Sequence, residues 1–62
     1  SMEFENCRGY WLGKNGIIDG AIHYLPDGSA VVMTDDAHGI PLEDMLTSAS
    51  FHIKDENGRQ LL

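Results

Sequence analysis

The sequence predicts a small all-β, β-rich fold: an antiparallel meander or a half-closed SH3-like barrel of about five strands. Three observations predict it. The stretch from Ile17 to Asp36 holds two apolar runs on either side of a Pro-Asp-Gly turn. Turn signals at residues 13–16 and 55–58 flank further runs of high β propensity. Apolar residues at helical spacing occur only in one short segment, so one short helical or 3-10 turn is expected near residues 41–47.

The central hairpin is predicted by local turn chemistry at residues 25–28, which read Leu-Pro-Asp-Gly. Pro26 presets the φ angle of the first central position, and Gly28 supplies the positive φ that closes a three-residue loop. This loop pairs Leu25 with Ser29, and the register follows by counting back along both strands. Because side chains alternate along a strand, one face is nearly all apolar and should be the core. Its members are Ile18, Gly20, Ile22, Tyr24, Ala30, Val32 and Thr34.

The other face of the hairpin, called the mixed face here, supplies the main functional clue. It carries Ile17, Asp19, Ala21, His23, Leu25, Val31, Met33 and Asp35. Its aliphatic and methionine side chains make it more apolar than a freely solvated face usually is. The sequence therefore predicts that the mixed face is covered by another element or by a partner.

The turn that follows Leu12 allows more than one register. A three-residue loop at 14–16 is preferred, because it keeps Tyr10 and Leu12 with the apolar face and sets Tyr10 beside a strand glycine that an aromatic ring would shield. Trp11 then lies on the mixed face. A two-residue loop at 15–16 is also allowed, and it would shift the register by one residue and exchange the two faces.

The segment after the hairpin begins with a loop and continues into the expected helical turn. Pro41 suits the first position of a helix, and the acidic residues that follow favour its N-terminus. Leu42, Met45 and Leu46 form one short apolar stripe. A strand is predicted at residues 49–54, with Phe51 and Ile53 on one face. A turn at 55–58 then returns the chain as a short edge strand.

Length and composition limit the classes of function. The chain of 62 residues is predicted to be a single small domain, residues 1–62, in which 1–6 form a frayed arm or edge strand and Ser1 is a vector remnant. Ten acidic and four basic residues give a net charge of −6, which argues against direct binding of nucleic acid or anionic lipid. No apolar run would span a membrane, and a single cysteine fits a cytoplasmic location. A small core without staples favours a partner or a second copy.

The sequence contains no pattern that indicates a catalytic site or a metal site. Asp19 and Asp35 come out opposite each other with His23 on the same face, yet this spacing matches no recognised metal pattern. Cys7 has three histidines to pair with, His23, His38 and His52, but a chain this small has little room for a closed pocket. We expect no enzyme activity, no metal and no cofactor.

The prediction for function is a small non-enzymatic protein-binding module, a regulator or inhibitor of the kind that phages and mobile elements encode. Its partner would be another protein or a second copy in a homodimer, bound through a mixed apolar and acidic sheet face. The predicted partner-binding residues are Trp11, Asp19, Ala21, His23, Val31, Met33 and Asp35. An acidic DNA mimic that blocks a nucleic-acid-binding protein is the alternative, and a small hydrolase-like enzyme comes third.

Overall fold

The computed structural model describes residues 2–62, so the interpretation of Ser1 as a vector remnant lies outside the described residues. The elements are β1 (Arg8–Gly13), β2 (Gly16–Tyr24), β3 (Ala30–Thr34), β4 (Gly39–Pro41), α1 (Leu42–Met45) and β5 (His52–Lys54). The strands form one antiparallel sheet in the order β4-β3-β2-β1-β5. The predicted all-β fold of about five strands is confirmed. The sheet stays open, so it is a meander whose fifth strand returns beside the first.

The central hairpin is confirmed in both its turn and its register. The backbone N–H of Leu25 donates to the carbonyl of Ser29 at 2.8 Å, and Gly28 adopts φ 89° as the turn requires. Ile22 lies opposite Val32, and these two side chains are 6% and 0% exposed. Local turn chemistry was enough to place this part of the core.

The predicted register of the first hairpin is wrong by one residue. Gly13 pairs with Gly16 across a two-residue turn, which differs from both loops considered from the sequence. Trp11 therefore pairs with Ile18 and points to the core side of the sheet, while Tyr10 and Leu12 point to the opposite side.

The reason for this register is a pair of facing glycines. Gly9 lies opposite Gly20, and a Cβ atom built on Gly9 would lie 2.6 Å from Cε1 of Phe51. A Cβ on Gly20 would lie 2.5 Å from the backbone oxygen of Met33. The ring of Phe51, distant in sequence, thus covers Gly9, whereas Tyr10 was predicted to shield Gly20.

The core lies on one side of the sheet, which we call the covered face. Its buried residues are Cys7, Ile22, Val32, Met45, Phe51 and Ile53. Phe4, Trp11, Tyr24, Ala30, Ile40 and Leu42 pack around them. Residues 3–6 form a turn, where the sequence suggested a frayed arm or an edge strand. The backbone N–H of Phe4 donates to the hydroxyl of Tyr24 at 3.1 Å and ties this turn to the hairpin.

The C-terminal half completes the cover. Pro41 ends β4 and precedes α1, in which Met45 is buried and Leu42 is half-buried. The short strand β4 was not predicted. The strand predicted at residues 49–54 forms only over His52–Lys54. The chain turns back after Asp55, and the predicted edge strand is reduced to one bridge between Lys54 and Gln60. Beside this bridge, Leu61 donates its N–H to the carbonyl of Ile53 at 2.7 Å. Within residues 2–62, no helix is long and apolar enough to cross a bilayer.

A matched pair of valine substitutions tests which face is the core. Val32→Ala should lower the free energy of unfolding by about 2 kcal/mol through lost transfer and packing energy. Val31→Ala removes the same two methyl groups from the opposite face, where the side chain is only half-buried, so its cost should be clearly smaller. Urea unfolding of both variants measures the difference. Equal losses would contradict the assignment of the faces.

The glycine contact can be tested in the same way. Gly9→Ala places a methyl group 2.6 Å from a ring carbon of Phe51 and should lower stability by about 1–3 kcal/mol through overpacking. Gly9→Ala should cost less stability in the Phe51→Leu background than in the wild type, because the clashing ring is gone. Thermal unfolding of the four proteins gives the coupling between the two sites. Strict additivity would show that Phe51 does not occupy this place.

Candidate functional site

The face of the sheet opposite the core is left uncovered by the described residues, and we call it the open face. Strand alternation assigns to it Arg8, Tyr10, Leu12, Ile17, Asp19, Ala21, His23, Val31, Met33, Gly39, Pro41, His52 and Lys54. The core residues supplied by α1, by the N-terminal turn and by Phe51 all belong to the covered face. Residues 2–62 therefore cover one face of the sheet only.

Apolar side chains occupy two parts of the open face. Leu12 and Ile17 face each other near the first turn and are 68% and 72% exposed. Ala21 and Met33 form a cross-strand pair nearer the other edge and are half-buried. The terminal methyl of Met33 lies over Gly39, whose built Cβ would be 3.5 Å away. Both parts would lose contact with water when a second surface covers the sheet.

An ion pair lies between these apolar parts. The guanidinium of Arg8 donates from Nε at 3.1 Å and from Nη2 at 2.9 Å to one oxygen of Asp19. The hydrogen bond to Asp19 is the main cause of the raised pKa of Arg8. Both side chains are about two-fifths exposed (43% and 40%), so the pair stabilises the fold by at most about 1 kcal/mol. Its main effect is to orient the two side chains, because each group holds the other in a fixed place on the open face.

Aromatic and basic side chains from β1 and β5 form the neighbouring part of the face. The rings of Tyr10 and His52 stack with centroids 5.4 Å apart and planes 17° apart. Nζ of Lys54 lies 5.3 Å from the centroid of Tyr10, within cation–π distance. The sequence-based prediction did not include these three residues or Arg8. Its register assigned Arg8 and Tyr10 to the covered face, and it gave the strand at residues 49–54 no neighbour, so His52 and Lys54 were not placed beside them. Pairing Gly9 with Gly20 would have assigned Arg8 and Tyr10 to the open face.

The predicted partner-binding residues do not all come together. On the open face lie Asp19, Ala21, His23, Val31 and Met33. Trp11 was placed wrongly: it lies on the covered face, with its ring centroid 6.2 Å from that of Phe51. Asp35 follows the end of β3 and is exposed in the turn. The role of these residues in partner binding stays a prediction.

The acidic residues are spread over the ends of the sheet. Asp19 is paired with Arg8, and the pairing of β2 with β3 ends at Thr34, before Asp35. Asp27 lies in the β2–β3 turn, at the opposite end of the sheet from the turn that contains Asp35. Among residues 2–62, no three His, Cys, Asp or Glu side chains are grouped in a way that would hold a metal ion.

Cys7 belongs to the core and is 4% exposed. Burial is the main cause that raises the pKa of its thiol, and Asp55 and Glu56 raise it further. A raised pKa reduces the fraction of thiolate, which is the nucleophilic form. The environment of Cys7 is therefore that of a packing residue.

Comparison of the chain with protein-family models, with curated proteins and with solved structures found no match. The chemistry of the open face is then the guide to function. It joins exposed aliphatic side chains, a preset ion pair and a stacked aromatic cluster on one extended surface. Such a surface suits contact with another macromolecular surface better than enclosure of a small substrate.

We expect the β3–β4 turn beside the open face to make stability depend on pH. The carboxylate of Asp36 accepts hydrogen bonds from the Thr34 hydroxyl and, at 3.3 Å, from the N–H of His38. The bond from Thr34 is the main cause that lowers the pKa of Asp36 from its usual 3.8. A lowered folded-state pKa contributes stability above the unfolded value, and this stability is lost as pH falls through the folded pKa.

We therefore expect Asp36→Asn to lower the thermal midpoint near neutral pH and to match the wild type well below pH 3.8. Asp35→Asn makes the same change of net charge at the adjacent exposed position and is the control. Circular dichroism melts of the three proteins over a pH series measure the effect. A difference between Asp36→Asn and the wild type that does not depend on pH would contradict a role for this carboxylate charge.

Proposed function

We propose that the protein is a non-catalytic protein-binding module that regulates or inhibits its partner by covering part of the partner's surface with the open face. The observation that supports this most directly is the exposure of Leu12 and Ile17, at 68% and 72%, on a face that residues 2–62 leave uncovered. Exposed apolar side chains that adjoin one another on a small protein mark contact surfaces more often than chance exposure.

The residue types on the open face fit a protein partner. Tyr, Arg and Met are enriched in the cores of protein interfaces, and Tyr10, Arg8 and Met33 lie on the inner strands β1 and β3 of this face. Tyr10 and Arg8 are already held by His52, Lys54 and Asp19. Binding then orders few new side chains, which reduces its entropic cost.

The size of the face sets the expected strength. Five strands spaced about 4.8 Å apart span roughly 20 Å. The longer strands extend about as far again, which gives a projected area on the order of 400 Å². A standard interface buries about 800 Å² on each side. The turns at the sheet ends would therefore contribute to a stable complex, with His23 and Asp35 in its polar rim and Asp19 held inside it by Arg8.

Net charge favours a basic partner. The chain carries a net charge of −6, and like-charged proteins are repelled at long range while basic ones are attracted. On the open face itself, Arg8 is paired with Asp19 and Lys54 is a further cation, so the attraction comes from the acidic residues elsewhere on the chain. The resulting field should increase the association rate and its dependence on salt more than it increases final affinity.

Site-specific crosslinking tests this proposal even though the partner is unidentified. A photo-reactive amino acid at position 33 of the full chain, expressed in the source cells, should give one discrete crosslinked product after illumination. The same residue at position 57, in the exposed β5 turn, is the control and should give none. Mass spectrometry then tells a different protein from a second copy of this chain. Equal products from both positions, or none from position 33, would contradict the proposal.

A charge substitution supplies the matched variant. Met33→Lys should weaken the complex at least about tenfold, because the ammonium group would be buried without a partner. The free chain should stay folded, since Met33 lies at the open face and a lysine there can reach water. Asn57→Lys adds the same charge in an exposed turn and should bind normally. If Met33→Lys unfolds the isolated chain, Met33 belongs to the core and the proposed interface is wrong.

A further inference from the structure

A second surface feature lies at the end of the sheet that carries the Pro-Asp-Gly turn. There a groove of about 500 Å³ runs between the β2–β3 turn, helix α1 and the N-terminal turn. Ligand pockets usually measure about 300–1,000 Å³, so the groove is large enough to hold bulky side chains. Its apolar walls include Phe4, Tyr24, Leu25, Leu42 and Leu46.

The groove is apolar but bordered by charges of one sign. Glu3 and Glu43 are its charged lining residues, and no Lys, Arg or His among residues 2–62 lines it. Leu25 and Leu46 are 44% and 53% exposed, so apolar surface remains accessible. An occupant that satisfies both features has an apolar centre and positive charge at its ends.

The walls of the groove are held in place by contacts within the chain. The N–H of Phe4 donates to the Tyr24 hydroxyl at 3.1 Å, which joins the N-terminal turn to β2. The turn on the other side is held by Asp27, whose carboxylate accepts from the N–H of Ser29 at 2.9 Å. Because the walls are already ordered, binding of a ligand costs less conformational entropy than it would in a flexible groove.

We propose that this groove docks a peptide segment of a partner protein that carries one or two bulky apolar side chains flanked by Lys or Arg. The apolar side chains would lie against Leu42 and Leu46, and the basic ones would approach Glu3 and Glu43. Phosphate-bearing ligands are disfavoured, because both charged groups that border the groove are carboxylates. Val31 and Pro41 of the open face also line the groove, but Leu12, Ile17 and Met33 do not. Variants at those three positions and at Leu46 can therefore separate the two proposals.

Nuclear magnetic resonance titration of the full chain tests it. The probe is an acetylated and amidated peptide, Lys-Lys-Leu-Phe-Lys-Lys, added to ¹⁵N-labelled protein at physiological salt. Amide shifts should change at Tyr24, Leu25 and residues 42–46, and should stay constant at Ala21. The peptide Glu-Glu-Leu-Phe-Glu-Glu keeps the apolar centre and should cause no shifts.

Neighbouring acidic residues of α1 provide a matched control. Glu43→Lys should weaken binding of the basic peptide about tenfold, because an attraction is replaced by a repulsion. Asp44→Lys makes the same charge change in the same turn, but Asp44 does not line the groove, so its effect should be distinctly smaller. Glu43→Gln should give a smaller loss in the same direction and guards against misfolding of the reversal variant.

Apolar substitutions separate the groove from the open face. Leu46→Asn should weaken binding of the basic peptide and leave the crosslink from position 33 unchanged. Leu12→Asn should reduce that crosslink and leave peptide binding unchanged. The proposal would be overturned by the absence of shifts at millimolar peptide, by equal binding of the acidic peptide, by equal effects of Glu43→Lys and Asp44→Lys, or by shifts confined to the open face. Shifts of the groove residues on raising the protein concentration alone would assign the groove to a second copy and would also overturn it.

Discussion

The contact between the ring of Phe51 and the backbone of Gly9 is the constraint on which the rest of the structure depends. The ring lies where a side chain of residue 9 would be, with a built Cβ only 2.6 Å from the ring. Gly20, opposite Gly9, allows the backbone of Met33 to approach closely. Together they fix which residues of β1 and β2 face each other. The faces to which the residues of β1 belong follow from that pairing, whereas those of β2 and β3 follow from the Pro-Asp-Gly turn.

A chain of 62 residues has enough apolar material to cover one side of a sheet, and the structure uses it on the side of Phe51. Helix α1 has only four residues, of which Met45 is buried. The opposite side carries Arg8, Tyr10 and their partners in fixed positions. The short helix also leaves a groove beside Leu46. The uncovered face and the groove therefore have one physical origin, a cover too small for the sheet.

The parts of the fold governed by local chemistry could be predicted, and those governed by distant contacts could not. Pro26 and Gly28 determine their own turn, so Ile22 and Val32 were assigned correctly to the core. The turn at residues 13–16 is compatible with several registers, and the choice depends on Phe51, which is distant in the chain. Strand β4 was not predicted for the same reason, because its three residues are held in the sheet by pairing with β3 and not by a local sequence pattern. Half of the open face was found, from β2 and β3, and the half from β1 and β5 was missed.

The most direct measurement of the central claim is the set of nuclear Overhauser contacts made by the indole ring of Trp11. With Gly9 opposite Gly20, Trp11 lies on the covered face, and its ring protons should show contacts to Phe51 and Ile18. If the register differs by one residue, the ring lies on the other side of the sheet. Contacts from the indole to Ala21 and Met33, with none to Phe51, would contradict the assignment of the two faces and the functions inferred from it.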